Sequence, residues 1–172
     1  MVKYDQDGEG LMIYSKLVKL VEDNQEELTR RAYNELLTRE ETVRYRNVPE
    51  DILKERISDV YSMLVSWLNK ERRAGNIRKY YTDLGKRRYN EGIPLSEVIM
   101  AFMLLKRHLW LFIMEKQFFD STYECYQALE LNNKVVLFFD RIIYFSALGY
   151  EEELAKAGHA KEGIFSKILK KK

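Results

Sequence analysis

PLSEVIMAFMLLKRHLWLFIM, residues 94–114, decides the fold class. Pro94 suits a first helical turn, where its missing N–H costs nothing. Leu95, Val98, Ile99, Phe102, Leu105, Leu109, Phe112 and Ile113 then recur at helical spacing. A second stripe, Met100, Met103, Trp110 and Met114, flanks this ladder. A helix apolar around most of its girth is buried on nearly all sides. In a small domain it is either the central helix or one that also packs on a second chain. Val98 to Leu105 is the longest apolar run and stops at Lys106-Arg107-His108, far short of the roughly 20 apolar residues of a membrane span.

Working outward, the same period recurs. Leu11 to Glu22 reads as a first helix, with Leu17, Leu20 and Val21 inward. Asp23-Asn24 can cap a second, Gln25 to Arg44, whose ladder is Leu28, Ala32, Leu36 and Val43. Its outer face pairs Glu26/Arg30, Glu27/Arg31, Glu35/Arg39 and Glu40/Arg44 in the favourable order, a solvated face. Pro49-Glu50 opens a third helix with the ladder Leu53, Ile57, Val60, Leu64, Trp67 and Leu68. Glu71 to Asn76 is a loop, and Ile77 to Glu91 a fourth helix that Gly92 ends. Gly85, inside it, invites another backbone to approach closely. Asp120-Ser121 can cap a last helix from Thr122 toward Leu148, with Leu131, Val135, Phe138, Phe139, Ile142 and Phe145 in line and Gly149 as a C-cap or bend. The tail, 158–172, holds five lysines with Ile164, Phe165, Ile168 and Leu169 at amphipathic spacing. It is too short to be a stable helix alone and is expected disordered or loosely docked.

Composition agrees. A chain of 172 residues is one domain by length, and 46% hydrophobic with 33% charged residues excludes bulk disorder. Eight glycines and two prolines are too few for the turns of a sandwich or barrel, so the chain is all-α. Lys+Arg 29 against Asp+Glu 27 singles out no partner. The acidic N-terminus has no apolar signal core, and a cytoplasmic protein is expected.

Catalytic and cofactor motifs fail in turn. Gly8-Glu9-Gly10 lacks the third glycine of a dinucleotide loop, because Ile13 stands there. Gly158 and Gly163 have P-loop spacing, but Ile164 and Phe165 replace the lysine and hydroxyl that hold phosphate and magnesium. Two histidines, His108 and His159, allow no HExxH, and the residues three before them are Leu105 and Lys156 rather than the glutamates of a di-iron bundle. The one cysteine, Cys125, lies among aromatics as an inert thiol. The expectation is no enzyme, no cofactor and no metal. Two alternatives remain: His108 on an apolar face as an iron ligand of a haem or ligand carrier, and the basic, tyrosine-interleaved stretch 70–88 as a DNA contact.

Two segments then stand together. The first is Leu84-Gly85-Lys86-Arg87-Arg88, Gly92-Ile93-Pro94-Leu95-Ser96-Glu97-Val98, Leu104-Leu105-Lys106-Arg107 and Leu109-Trp110. The second is Phe138-Phe139-Asp140-Arg141, Tyr144 and Gly149-Tyr150-Glu151. In order and spacing they resemble the N-terminal sensory domain of the RsbR-type co-antagonists of the bacterial stressosome, the RsbRD N-terminal family, over Leu11 to Glu153. The resemblance implies an all-α, non-haem globin-like domain of about six helices. It implies an input module for stress signalling that dimerises through its last two long helices as a four-helix bundle and passes its signal to a following domain, commonly STAS. The sequence has no room for such a domain after the match, so it is either a stand-alone module, which is the expectation, or a piece of a longer chain, with 1–157 the sensory unit and 158–172 the tail. The motif residues Gly85, Pro94, Asp140, Arg141, Gly149 and Tyr150 are then structural. The excess apolar surface on the last two helices points to a homodimer interface of Met103, Trp110, Met114, Phe138, Phe139 and Ile142. No histidine lies in Tyr80 to Gly92, where the globin layout needs the proximal ligand.

Overall fold

The computed structural model describes residues 6–69, 76–116 and 122–169, with side chains over 13–69, 76–116 and 127–158. Among them are seven helical elements and no strand: α1 (Gln6–Asp23), α2 (Gln25–Thr38), a 3₁₀ segment (Glu40–Asn47), α3 (Glu50–Leu68), α4 (Ile77–Asn90), α5 (Leu95–Glu115) and α6 (Thr122–Leu169). α5 is the central helix, in contact with α2, the 3₁₀ segment, α4 and α6. Its first stripe faces inward: Val98, Phe102, Leu105, Leu109, Phe112 and Ile113 are buried.

α2 stops earlier than its periodicity suggests. Arg39 is extended (φ −79°, ψ 140°), and the chain turns into the 3₁₀ segment instead of continuing to Arg44. The last carbonyls of α2 are taken from downstream. The buried Thr42 hydroxyl donates to Leu36 O at 2.7 Å, and Arg46 Nε donates to Leu37 O at 2.8 Å. With the Leu36 and Leu37 carbonyls satisfied in this way, the chain leaves the helix at little cost. The Asn24 side chain likewise serves the preceding helix: Nδ2 donates to Leu20 O at 2.8 Å and makes no cap bond to α2.

α4 ends as read. Gly92 has φ 70°, its N–H donates to Tyr89 O (3.0 Å), and Ile93 N–H donates to Arg88 O (3.1 Å), the paired bonds of a Schellman motif.

Gly149 neither caps nor bends α6, which runs through it. A Cβ on Gly149 would lie 1.9 Å from Thr82 O, and one on Gly85 would lie 1.9 Å from Ser146 O. The two glycines let the α4 and α6 backbones touch, and that contact replaces the expected terminator. α6 also continues across residue 158 to Leu169. Adding turns to a helix already nucleated is far easier than starting one, which explains why the tail need not be stable alone. The expected cap Asp120-Ser121, the environment of Cys125 and the 71–75 loop lie outside the described residues or side chains.

Candidate functional site

Two features stand outside ordinary core packing: a cavity between α3, α4 and α5, and an apolar face on α5 and α6.

The cavity measures about 240 Å³. Leu53, Ile57 and Val60 of α3, Leu84 of α4, and Phe102 and Leu105 of α5 form its apolar walls, with Leu36 of α2. Its polar end is built by Tyr45, Arg56, Arg88 and Glu91. Arg88 continues the inward stripe Ile77, Tyr81, Leu84 and is 5% exposed. Its Nη1 donates to both Glu91 oxygens at 2.9 and 3.1 Å. Arg56 grips the same carboxylate from α3 with Nη1 at 3.1 Å and Nη2 at 2.8 Å. Burial pushes the Arg88 pKa down, but guanidinium remains charged in proteins. Burial likewise pushes the Tyr45 phenol up to about 12, against the pull of Arg88 and Arg56, so it stays a neutral donor. The nearby buried Glu97 accepts from the Arg44 N–H at 2.7 Å. No periodicity argument finds this cluster. The one signal was an arginine on an apolar stripe with a glutamate three residues later.

His108 is elsewhere. Its Nε2 sits 3.6 Å from Glu35 Oε2 on the α2–α5 seam, too far for a hydrogen bond, and has no other partner among the described residues. Desolvation holds its pKa below the ordinary 6.5, although Glu35 pulls it up. For Glu35, burial raises the pKa, but the Arg39 hydrogen bond and the charges of Arg39, His108 and Arg107 outweigh that and lower it. Both shifts have the same sign for stability. An imidazole harder to protonate when folded makes the unfolded state the better proton binder. Stability is therefore full above about pH 6.5 and falls as pH drops through the folded pKa, and Glu35 adds to the loss at lower pH. His108→Gln is expected to flatten the upper part of that slope in urea titrations at stepped pH. An unchanged slope would contradict this placement.

The basic stretch is divided. Residues 70–75 lie outside the described part. Lys86 pairs with Glu152 at 2.9 Å, and Arg87 stacks on Tyr80 at 5.8 Å. Tyr81 is wholly buried, and Tyr89 packs edge-on against Tyr150 at 5.2 Å. The tyrosines belong to the core and its edge.

The structure separates the six expected interface residues. Met103 (48% exposed) and Met114 (70%) face outward, with Trp110 half-buried beside them. Phe138, Phe139 and Ile142 do not share that face: each is 0% exposed within its own chain. α6 turns Phe138 onto α3 and α4, where it packs on Trp67 and Tyr81, and Phe139 packs edge-on beside it. The α6 residues beside the α5 methionines are Asn132 and Val136; Leu129 is exposed just before them, and Leu137 and Tyr144 after them. Of the remaining motif residues, Pro94 precedes the first turn of α5 and its carbonyl accepts from Glu97 and Val98. Arg141 lies over the Trp67 ring at 5.1 Å, and Asp140 is 3.8 Å from Lys106.

No described helix is long and apolar enough to cross a membrane. No curated protein and no solved structure is similar enough to the chain to match it. A family profile described as the RsbT co-antagonist protein rsbRD N-terminal domain matches residues 26–162. That span runs from the first turn of α2 into the extension of α6 and takes in both the cavity and the α5–α6 face. With the all-helical, globin-like order of elements and a match covering most of its length, the chain belongs to the RsbT co-antagonist rsbRD N-terminal domain family.

Proposed function

We propose that this chain is a non-enzymatic sensory and regulatory input module for bacterial stress signalling, acting through homodimerisation and contact with a downstream protein. The observation that supports the reading best is the outward apolar face of α5, Met103, Leu111 and Met114 around Trp110, beside Val136 of α6. Scattered exposed apolar residues are ordinary, but a contiguous patch on the central helix marks an interaction surface. A second copy related by a two-fold axis, the commonest closed symmetry, would bury it in a four-helix bundle. The interface is thus built from α5 and the Leu129–Val136 side of α6, without the phenylalanines. Small shifts of such packed helices bias the partner's state and carry a signal. The His108 carrier alternative loses its support, because that ring faces Glu35 rather than the cavity. The family itself is one of regulatory sensory domains, which favours the module over an enzyme.

Sedimentation equilibrium tests this. The chain is expected to be a dimer at micromolar concentration. Met114→Glu, at a 70%-exposed position, should raise the dissociation constant by about tenfold or more without lowering monomer stability. A monomeric wild type, or a dimer indifferent to both Met114→Glu and Met103→Glu, would remove the reading.

A further inference from the structure

We propose that the cavity between α3, α4 and α5 binds a small organic monocarboxylate with a compact apolar body, its head group on Arg88 and Tyr45. The proposal deepens the reading of the domain as an input module by naming the chemistry of the input.

Space comes first. The cavity, about 240 Å³, exceeds the ~150 Å³ at which an apolar protein cavity already holds benzene. It is smaller than the ~300–1,000 Å³ of sites for drug-sized ligands. A single ring or a chain of about six carbons fits that range, and a long acyl chain does not.

The polar end supplies the chemistry. Arg88 is 5% exposed and uses only Nη1, on Glu91; its Nε and Nη2 have no hydrogen bond among the described residues. The Tyr45 hydroxyl, also on a 5%-exposed side chain, has none either. Both side chains line the cavity. Glu91 is the one carboxylate gripped by both Arg56 and Arg88, so that cluster carries one positive charge in excess, offset only from the rim, where Glu55 and Asp59 outnumber Arg87 by one. Glu97 is held by the Arg44 N–H. A buried cation in excess is costly until an anion joins it. One carboxylate answers both needs. Its two oxygens accept the remaining guanidinium donors and the phenol, in the charge-assisted geometry arginine favours. The rim then selects for charge. Glu55, Asp59 and Arg87 also border the cavity, a rim with one net negative charge that penalises a phosphate or dicarboxylate more than a monoanion.

Calorimetric titration of the full chain tests this with benzoate and hexanoate. Benzyl alcohol and hexanol serve as uncharged counterparts, inorganic phosphate as a polyanion, and palmitate as a long chain. The two compact acids are expected to bind and to raise the melting temperature. The alcohols should bind about tenfold or more weakly, because they lose the charge-assisted bond. Tyr45→Phe keeps the ring and should weaken acid binding, and Arg88→Met should abolish it. Ala101→Leu, which adds bulk to the cavity wall and leaves every charge in place, should also block binding, which guards against a misfolded Arg88 variant. Equal binding of acids and alcohols would overturn the proposal, as would tighter binding of phosphate or palmitate. No binding at millimolar concentration, or binding indifferent to both Tyr45→Phe and Ala101→Leu, would overturn it as well. Sedimentation on the same samples separates the two readings: a dimer that binds no acid sinks this inference alone, and a monomer that binds sinks the dimeric module alone.

Discussion

Phe138→Ala is expected to lower the unfolding free energy by about 3–5 kcal/mol, the range for deleting a fully buried aromatic ring. Phe138 has no exposed surface and sits at a junction of rings. It meets Phe139 edge-on at 5.3 Å, Tyr81 at 6.4 Å and Trp67 at 6.4 Å, which ties α6 to α4 and α3. Arg141 covers the Trp67 ring, so the indole has little freedom to collapse into a void. Edge-on aromatic contacts add to the loss of burial. For a chain of this size the change corresponds to a fall in melting temperature of about 6–20 °C. Urea denaturation should show a lower midpoint with an unchanged slope. The dissociation constant of the proposed dimer should stay near the wild-type value, because the ring faces its own core. A variant that keeps its stability and loses the dimer would mean that Phe138 lies at the interface after all. The contrast with Met114→Glu separates core from surface on two adjacent helices.

Gly149→Ala should cost about 3 kcal/mol, at the upper end of overpacking, although alanine is the better helix former by about 1 kcal/mol. A Cβ there would stand 1.9 Å from Thr82 O and 2.7 Å from Thr82 C, which are backbone atoms with no rotamer to change. Gly85→Ala meets the same obstacle: Ser146 O at 1.9 Å and Tyr150 N at 2.9 Å. Either methyl must push two helices apart, and the double variant should lose less than the sum, because both act on one crossing. Gly158, farther along α6, has nothing within 4 Å of its would-be Cβ. Gly158→Ala should therefore be neutral or stabilising by up to about 1 kcal/mol. The opposite signs within one helix make the test independent of general helix propensity. Thermal unfolding of the four variants would decide it, and a stabilised Gly149→Ala would refute the close crossing.

The crossing also bears on how an input could leave the domain. α4 carries Arg88 of the cavity and meets α6 at Gly85 and Gly149, and α6 runs on to Leu169. If the cavity binds as proposed, a shift of α4 would reach that extension directly through this crossing.

The sequence alone determined the elements that one-dimensional pattern controls. Pro49 and Pro94 marked the starts of α3 and α5 within a residue, Gly92 marked the end of α4, and the ladder from Val98 to Ile113 identified the buried stripe of the central helix. The two linked motif segments identified the family. These features are local: a proline's missing donor, a glycine's positive φ and a 3.6-residue period act whatever lies opposite. Tertiary structure decided the rest. α2 ends at Thr38 because Thr42 and Arg46 capture its carbonyls, a choice visible only when the following segment folds back. Gly149 fits a terminator as well as a close contact, and the Thr82 backbone selects the contact. Phe138, Phe139 and Ile142 belong to an apolar excess that could serve core or partner, and the rotation of α6 against α4 turned them inward. Arg88 lay hidden in a basic run until the packing of α3, α4 and α5 placed it at 5% exposure beside a cavity. A helical period reports which residues share a face; only the neighbouring helices determine what that face meets.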